Sequence, residues 1–95
     1  MSGTTMSRIH DRLFRLTDEI DRLRAEERLT AGELGMLRHI DDDAQRDAAV
    51  GGPLERDDAR MTAADVERFR KTLASMGAKR ARLEAKRERL LKRLG

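Results

Sequence analysis

From Thr62 to Leu94 the chain can be read at alternating steps of four and three: Thr62, Val66, Phe69, Leu73, Met76, Arg80, Leu83, Arg87, Leu90 and Leu94. Every stop except Thr62, Arg80 and Arg87 is apolar. A mean spacing of about 3.5 residues keeps one helical seam turned toward one partner helix, the mark of a coiled coil. Upstream, the same rhythm runs through Met6, Ile9, Leu13, Leu16, Ile20, Leu23, Glu27, Thr30, Leu34, Leu37, Asp41, Ala44 and Ala48. Glu27 and Thr30 weaken it midway. The two patterns predict an all-α, antiparallel two-helix coiled-coil hairpin in which each helix serves as the other's partner.

Local signals divide the chain. Residues 1–6 are small and polar and read as a disordered N-terminus. Helix one is expected over 7–49, as one bent helix or with a break near 30–35. There Leu29, Thr30, Glu33 and Leu34 spell a capping box with its apolar staple, and Gly32 and Gly35 each cost a helix about 1 kcal/mol against Ala. The apolar phase carries through that stretch, which favours continuity. Gly51 and Gly52 allow positive φ and Pro53 stops a ladder, so 50–61 reads as an acidic connector. Thr62, with Asp65 three residues on and the Met61 and Val66 staple, marks the start of helix two over 62–94.

Placing Ala44 opposite Val66 makes facing residue numbers add to 110. Leu37 then meets Leu73, Leu23 meets Arg87, and Leu16 meets Leu94. Glu27 falls within a turn of both Arg80 and Arg87. A carboxylate between two guanidinium groups fixes register, because any one of the three alone in a seam is costly.

Composition narrows the function. Of 95 residues, 41% are charged and 2% aromatic, enough to line a narrow seam but not a layered core. With no cysteine there is neither a disulfide framework nor a thiolate metal site. His10 and His39 are too far apart on one helix to share a metal, and no triad or phosphate loop stands out. We therefore expect no enzyme, cofactor or metal. No apolar run suggests a signal peptide or membrane span, so a cytoplasmic protein is expected. The Arg-rich balance, 17 Arg to 4 Lys, suits a high-GC bacterial genome.

Charge is unevenly distributed. Residues 41–58 hold seven acids (Asp41, Asp42, Asp43, Asp47, Glu55, Asp57 and Asp58) against Arg46 and Arg56. Residues 79–93 hold eight bases against Glu84 and Glu88. Lys79, Arg82, Lys86, Arg89 and Arg93 line one helical stripe, on which phosphates could pair; a nucleic-acid partner is a third reading behind the two below. No aromatic is interleaved there for base stacking.

A hairpin with an acidic tip resembles the transcription factors that insert a coiled coil into the RNA polymerase secondary channel, the Gre factors and the DksA and TraR proteins. In those factors the tip acids act near the catalytic magnesium. Residues 42–48 are loosely similar to the DksA tip, but the acid spacing differs, and neither the second globular domain of Gre nor the zinc cysteines of DksA is present. Residues 20–26 (Ile-Asp-Arg-Leu-Arg-Ala-Glu) are similar to a helix of a small actinobacterial anti-sigma factor that binds cyclic di-GMP. Stepping back from Asp21, Thr17, Leu13 and His10 replace its nucleotide contacts, so the resemblance does not extend to the ligand. These likenesses imply a regulator of transcription machinery, through polymerase or sigma-factor binding, as the alternative to the main expectation. That main expectation is a non-enzymatic interaction or adaptor protein.

In the 110 register, about ten residues of helix one overhang the end of helix two, exposing Met6, Ile9, Leu13 and Phe14. Leu29, Met36 and Ile40 make a second apolar line beside the seam. Both features predict a homodimer, two hairpins pairing into a four-helix assembly.

Overall fold

The computed structural model describes residues 2–94, and the side chains of 5–94. Two α-helices account for nearly all of it: α1 (Ser2–Val50) and α2 (Pro53–Leu94), an antiparallel helical hairpin with no strand among the described residues. Helix α1 runs unbroken through Thr30, Gly32 and Gly35, so the capping signal at Thr30 is not used. It is helical from Ser2 rather than from Ser7; Met1 of the expected disordered segment lies outside the described residues.

The heptad predicts shelter almost residue by residue. Leu16, Ile20, Leu23, Leu34 and Leu90 are buried, and Ile20 is fully enclosed. Every other predicted seam position is half-buried, except Met6, which is exposed. With a as the seam position followed three residues later by d, Leu16 is d and Ile20 is a. The flanking c and g positions border one side of the seam, and b and e border the other.

The expected connector over 50–61 is a correction. Helix α2 begins at Pro53, leaving Gly51 and Gly52 as the whole turn. Pro53 sits at the first helical position, where its fixed φ fits and its missing N–H costs nothing. Glu55, two residues on, reaches back so that the Gly52 amide donates to its Oε2 at 2.9 Å, half of a capping box. The first helical bond runs from Arg56 N to Gly52 O, 3.2 Å. Neither glycine has positive φ. Gly51 is required for room instead: a Cβ there would lie 2.7 Å from both the Asp47 carbonyl oxygen and Glu55 Cγ.

Thr62 is consequently interior to α2, and its hydroxyl satisfies other partners. It lies 2.8 Å from Asp41 Oδ1, to which it donates, and 3.1 Å from the Ala59 carbonyl. The heptad extends back through Ala59, which is buried, and Glu55, which is half-buried.

The short turn also corrects the register. Asp41 bonds Thr62 and Gln45 bonds the Ala59 carbonyl, so facing numbers add to 103 or 104, one heptad short of 110. Counted along the heptad, that register sets Leu94 opposite Ile9 rather than Leu16, which shortens the expected overhang by seven residues. Ile9 and Leu13 are accordingly half-buried.

Candidate functional site

The helices form two compact units. One joins α1 up to Glu27 with α2 from Met76 onward; the other spans Arg28–Ser75. We call them the open-end unit and the turn unit.

In the open-end unit the seam is closed by large aliphatic side chains and edged by ion pairs. Arg80 Nε donates to Glu27 Oε2 at 2.6 Å, and Arg80 Nη1 reaches Glu84 Oε2 at 3.1 Å. Glu84 also accepts from Arg24 Nη2 at 2.6 Å. Bonding to Glu27 raises the pKa of Arg80, and the bond from Arg24 lowers that of Glu84. The expected cluster of Glu27, Arg80 and Arg87 is therefore corrected in its third member. The extended arginine bridges the one-heptad slip to keep Glu27, its second partner is the carboxylate of Glu84, and Arg87 makes no ion pair among the described residues. Gly77 leaves Glu27 space: a Cβ there would meet Glu27 Oε1 at 3.3 Å.

In the turn unit the expected acidic tip divides into working and free carboxylates. Asp41 accepts from Thr62 and from Gln45 Nε2 at 3.0 Å, and Glu55 caps α2. Asp57 pairs with Arg60, Asp65 with Arg68, and Asp43 with Arg46 at 3.5 Å. Asp42, Asp47 and Asp58 make no ion pair among the described residues. Nor do any three His, Asp or Glu side chains there converge as metal ligands.

The turn unit also leaves apolar surface outside its seam. Leu29, Met36, Ile40, Val50, Leu54 and Met61 are each more than half exposed. All six occupy c or g positions, on one flank of the seam. Part of that flank is a groove of about 450 Å³ lined by Met36, Leu37, Ile40 and Phe69, with Glu33, Asp65 and Arg68 at its edge. A neighbouring hollow toward the turn carries Asp43, Asp47, Asp58 and Met61. Sequence reasoning named Leu29, Met36 and Ile40 but missed Met61, which it had assigned as a staple, and Phe69, which it had counted only in the seam. Heptad lettering of exposed positions is the signal that finds them.

The corresponding flank of the open-end unit is basic. Lys79, Arg82, Lys86, Arg89 and Arg93 take g and c positions of α2, and Arg8, Arg12, Arg15 and Arg22 take those of α1. All nine are exposed. Only Lys79 has a carboxylate partner among the described residues, Glu19 at 3.8 Å. Phe14 lies on the opposite flank, 70% exposed, and so is separate from this surface.

No family model, curated protein or solved structure matches the chain. Among the described residues, no helix is long and apolar enough to cross a membrane.

Proposed function

We propose that the chain is a non-enzymatic interaction module that binds protein through the c/g flank of its turn unit. The observation carrying this reading is the concentration of all six exposed large apolar side chains of that unit on one flank of a seam that is already satisfied. Scattered single hydrophobics are ordinary on a protein surface; Met36 and Ile40 lining one groove, with Ile40 and Met61 in the hollow beside it, mark a contact site. Helix-in-groove recognition suits such a surface, with Met36 adaptable in shape and Phe69 as a flat anchor at the floor. The acids beside the groove favour a partner carrying basic side chains.

A photo-crosslinking residue at position 36, compared with one at the outward f position His39, tests this in the native host. Protein adducts should form at 36 and be scarce at 39. Equal yields at the two positions would remove the basis for assigning this flank.

A further inference from the structure

We infer that the partner of the turn unit's c/g flank is the basic c/g flank of a second copy of this chain; this rests on the protein-binding reading above. On that flank the turn unit carries Glu33, Asp43, Asp47, Asp58 and Asp65 against Arg68, a balance of −4. On the equivalent flank the open-end unit carries nine bases against Glu19 and Glu26, a balance of +7. The chain thus supplies both halves of an electrostatic match, at the same heptad letters of the same two helices.

The fit extends beyond net charge. Apolar floor and free acids lie together in the turn unit, at Met36, Ile40, Met61, Asp47 and Asp58. The bases facing them would be arginines and lysines whose aliphatic stems can cover methionine and isoleucine while the charged heads reach the bordering carboxylates. Arginine can also stack its guanidinium plane on Phe69. The opposite flank offers a weaker charge match and no apolar floor. Its b and e positions sum to −2 in the open-end unit and +3 in the turn unit, and the turn unit's exposed large apolar residues are absent from it. A dimer was expected from the sequence through an overhang of Met6, Ile9, Leu13 and Phe14 and through the line of Leu29, Met36 and Ile40; the inferred pairing uses the second surface and not the first.

Electrostatic self-pairing predicts a salt-dependent mass. Light scattering behind size exclusion, at micromolar concentration, should give at least twice 10.8 kDa at low salt. The mass should fall toward 10.8 kDa between about 0.05 and about 0.5 M salt, as the screening length shrinks several-fold. Charge exchange tests the assignment of surfaces. An Asp43→Lys, Asp47→Lys, Asp58→Lys variant and a Lys86→Glu, Arg89→Glu, Arg93→Glu variant should each be monomeric, while an equimolar mixture should recover the heavier species. The single substitutions Asp47→Lys and Arg93→Glu, with helicity followed by circular dichroism, serve if a triple variant fails to fold. A monomer at low salt overturns the inference, as does self-association indifferent to salt and to both exchanges. If position 36 crosslinks to another protein while the chain is monomeric, only the choice of partner falls. If it crosslinks to nothing, the binding reading falls with it. Salt-sensitive binding to duplex DNA by a monomeric chain would assign the basic flank to nucleic acid and overturn the self-pairing.

Discussion

The two units share one heptad rhythm and are held differently. In the open-end unit, Leu16, Ile20, Leu23 and Leu90 supply most of the buried core, and cross-helix ion pairs edge it. In the turn unit only Leu34 and Ala59 are buried, and Ala44 and Ala48 fill seam positions with little volume. Its cross-links are hydrogen bonds, from Thr62 to Asp41 and from Gln45 to the Ala59 carbonyl. Small seam residues seal little apolar area, while larger apolar side chains of the same unit stay outside. Stability is thus concentrated in one unit and available apolar surface in the other.

The largest expected effect comes from the enclosed side chain of the sealed unit. Ile20 is 0% exposed, and Ile20→Ala should destabilise the hairpin by about 2–5 kcal/mol, the range for core truncations that leave a cavity. Met36→Ala, at 68% exposure in the turn unit, should change isolated-chain stability by no more than about 0.5 kcal/mol. Chemical denaturation at a concentration where the chain is monomeric measures both. Similar losses at the two positions would erase the distinction between units.

The turn gives the next effect, and a contrast within one residue type. Gly51→Ala drives a Cβ into Asp47 and Glu55 at 2.7 Å and should cost about 1–3 kcal/mol. Gly32→Ala and Gly35→Ala place a Cβ where nothing lies within 4 Å, and each should stabilise by about 0.5–1 kcal/mol through helix propensity. Thermal melts of the three single variants settle the signs. A stable Gly51→Ala would mean that the turn is not confined as described.

The seam was legible in the sequence because burial obeys the heptad: the predicted positions other than Met6 are sheltered. Register was not legible from that pattern. A slip of one heptad returns a positions to d positions and leaves the apolar layers looking equally sound. Turn length decides between such registers, and turn length hung on Pro53. Read as a stop, it makes a long connector; read with Glu55 two residues later, it starts a helix. The rival start at Thr62 failed because the ladder was already running there, and its hydroxyl found Asp41 across the hairpin. The candidate surface was half legible: Leu29, Met36 and Ile40 stood out, whereas the charge match at c and g positions needed the side chains of both helices sorted to one flank.

Glu27 sharpens the comparison from the sealed unit. Glu27→Leu removes the first partner of Arg80 beside the seam and should lower the melting temperature, by less than Ile20→Ala because Arg80 keeps Glu84. Adding Arg80→Leu should recover the loss, since an apolar pair fits a seam position better than a single stranded charge. An additive second loss would show that the pair does more than match its own charges. Arg87→Leu, outside the cluster, should show no coupling to Glu27 in the same cycle.

The smallest effect is a pH dependence that belongs to the open-end unit. Glu84 accepts from Arg24 and lies beside Arg80, and these arginines hold its carboxyl below the ordinary glutamate range. A folded-state pKa below the unfolded one adds stability that is present above the unfolded value and is lost as pH falls through the folded value. With an ordinary glutamate near about 4.3, the loss begins around that pH and completes below it. Because the group is open to solvent, salt should shrink the effect. Glu84→Gln removes the titration and keeps the shape, so its melting temperature should lie below that of the unmodified chain at pH 7, and the gap should close on acidification. The turn unit offers a control in Glu67, which its Arg70 neighbour also holds low, but through a pair three residues apart on one helix rather than across the hairpin. Glu67→Gln should leave a smaller gap over the same range, because a pair within one helix anchors no second element. Equal gaps for the two variants would mean that bridging the helices gives Glu84 no special share in stability.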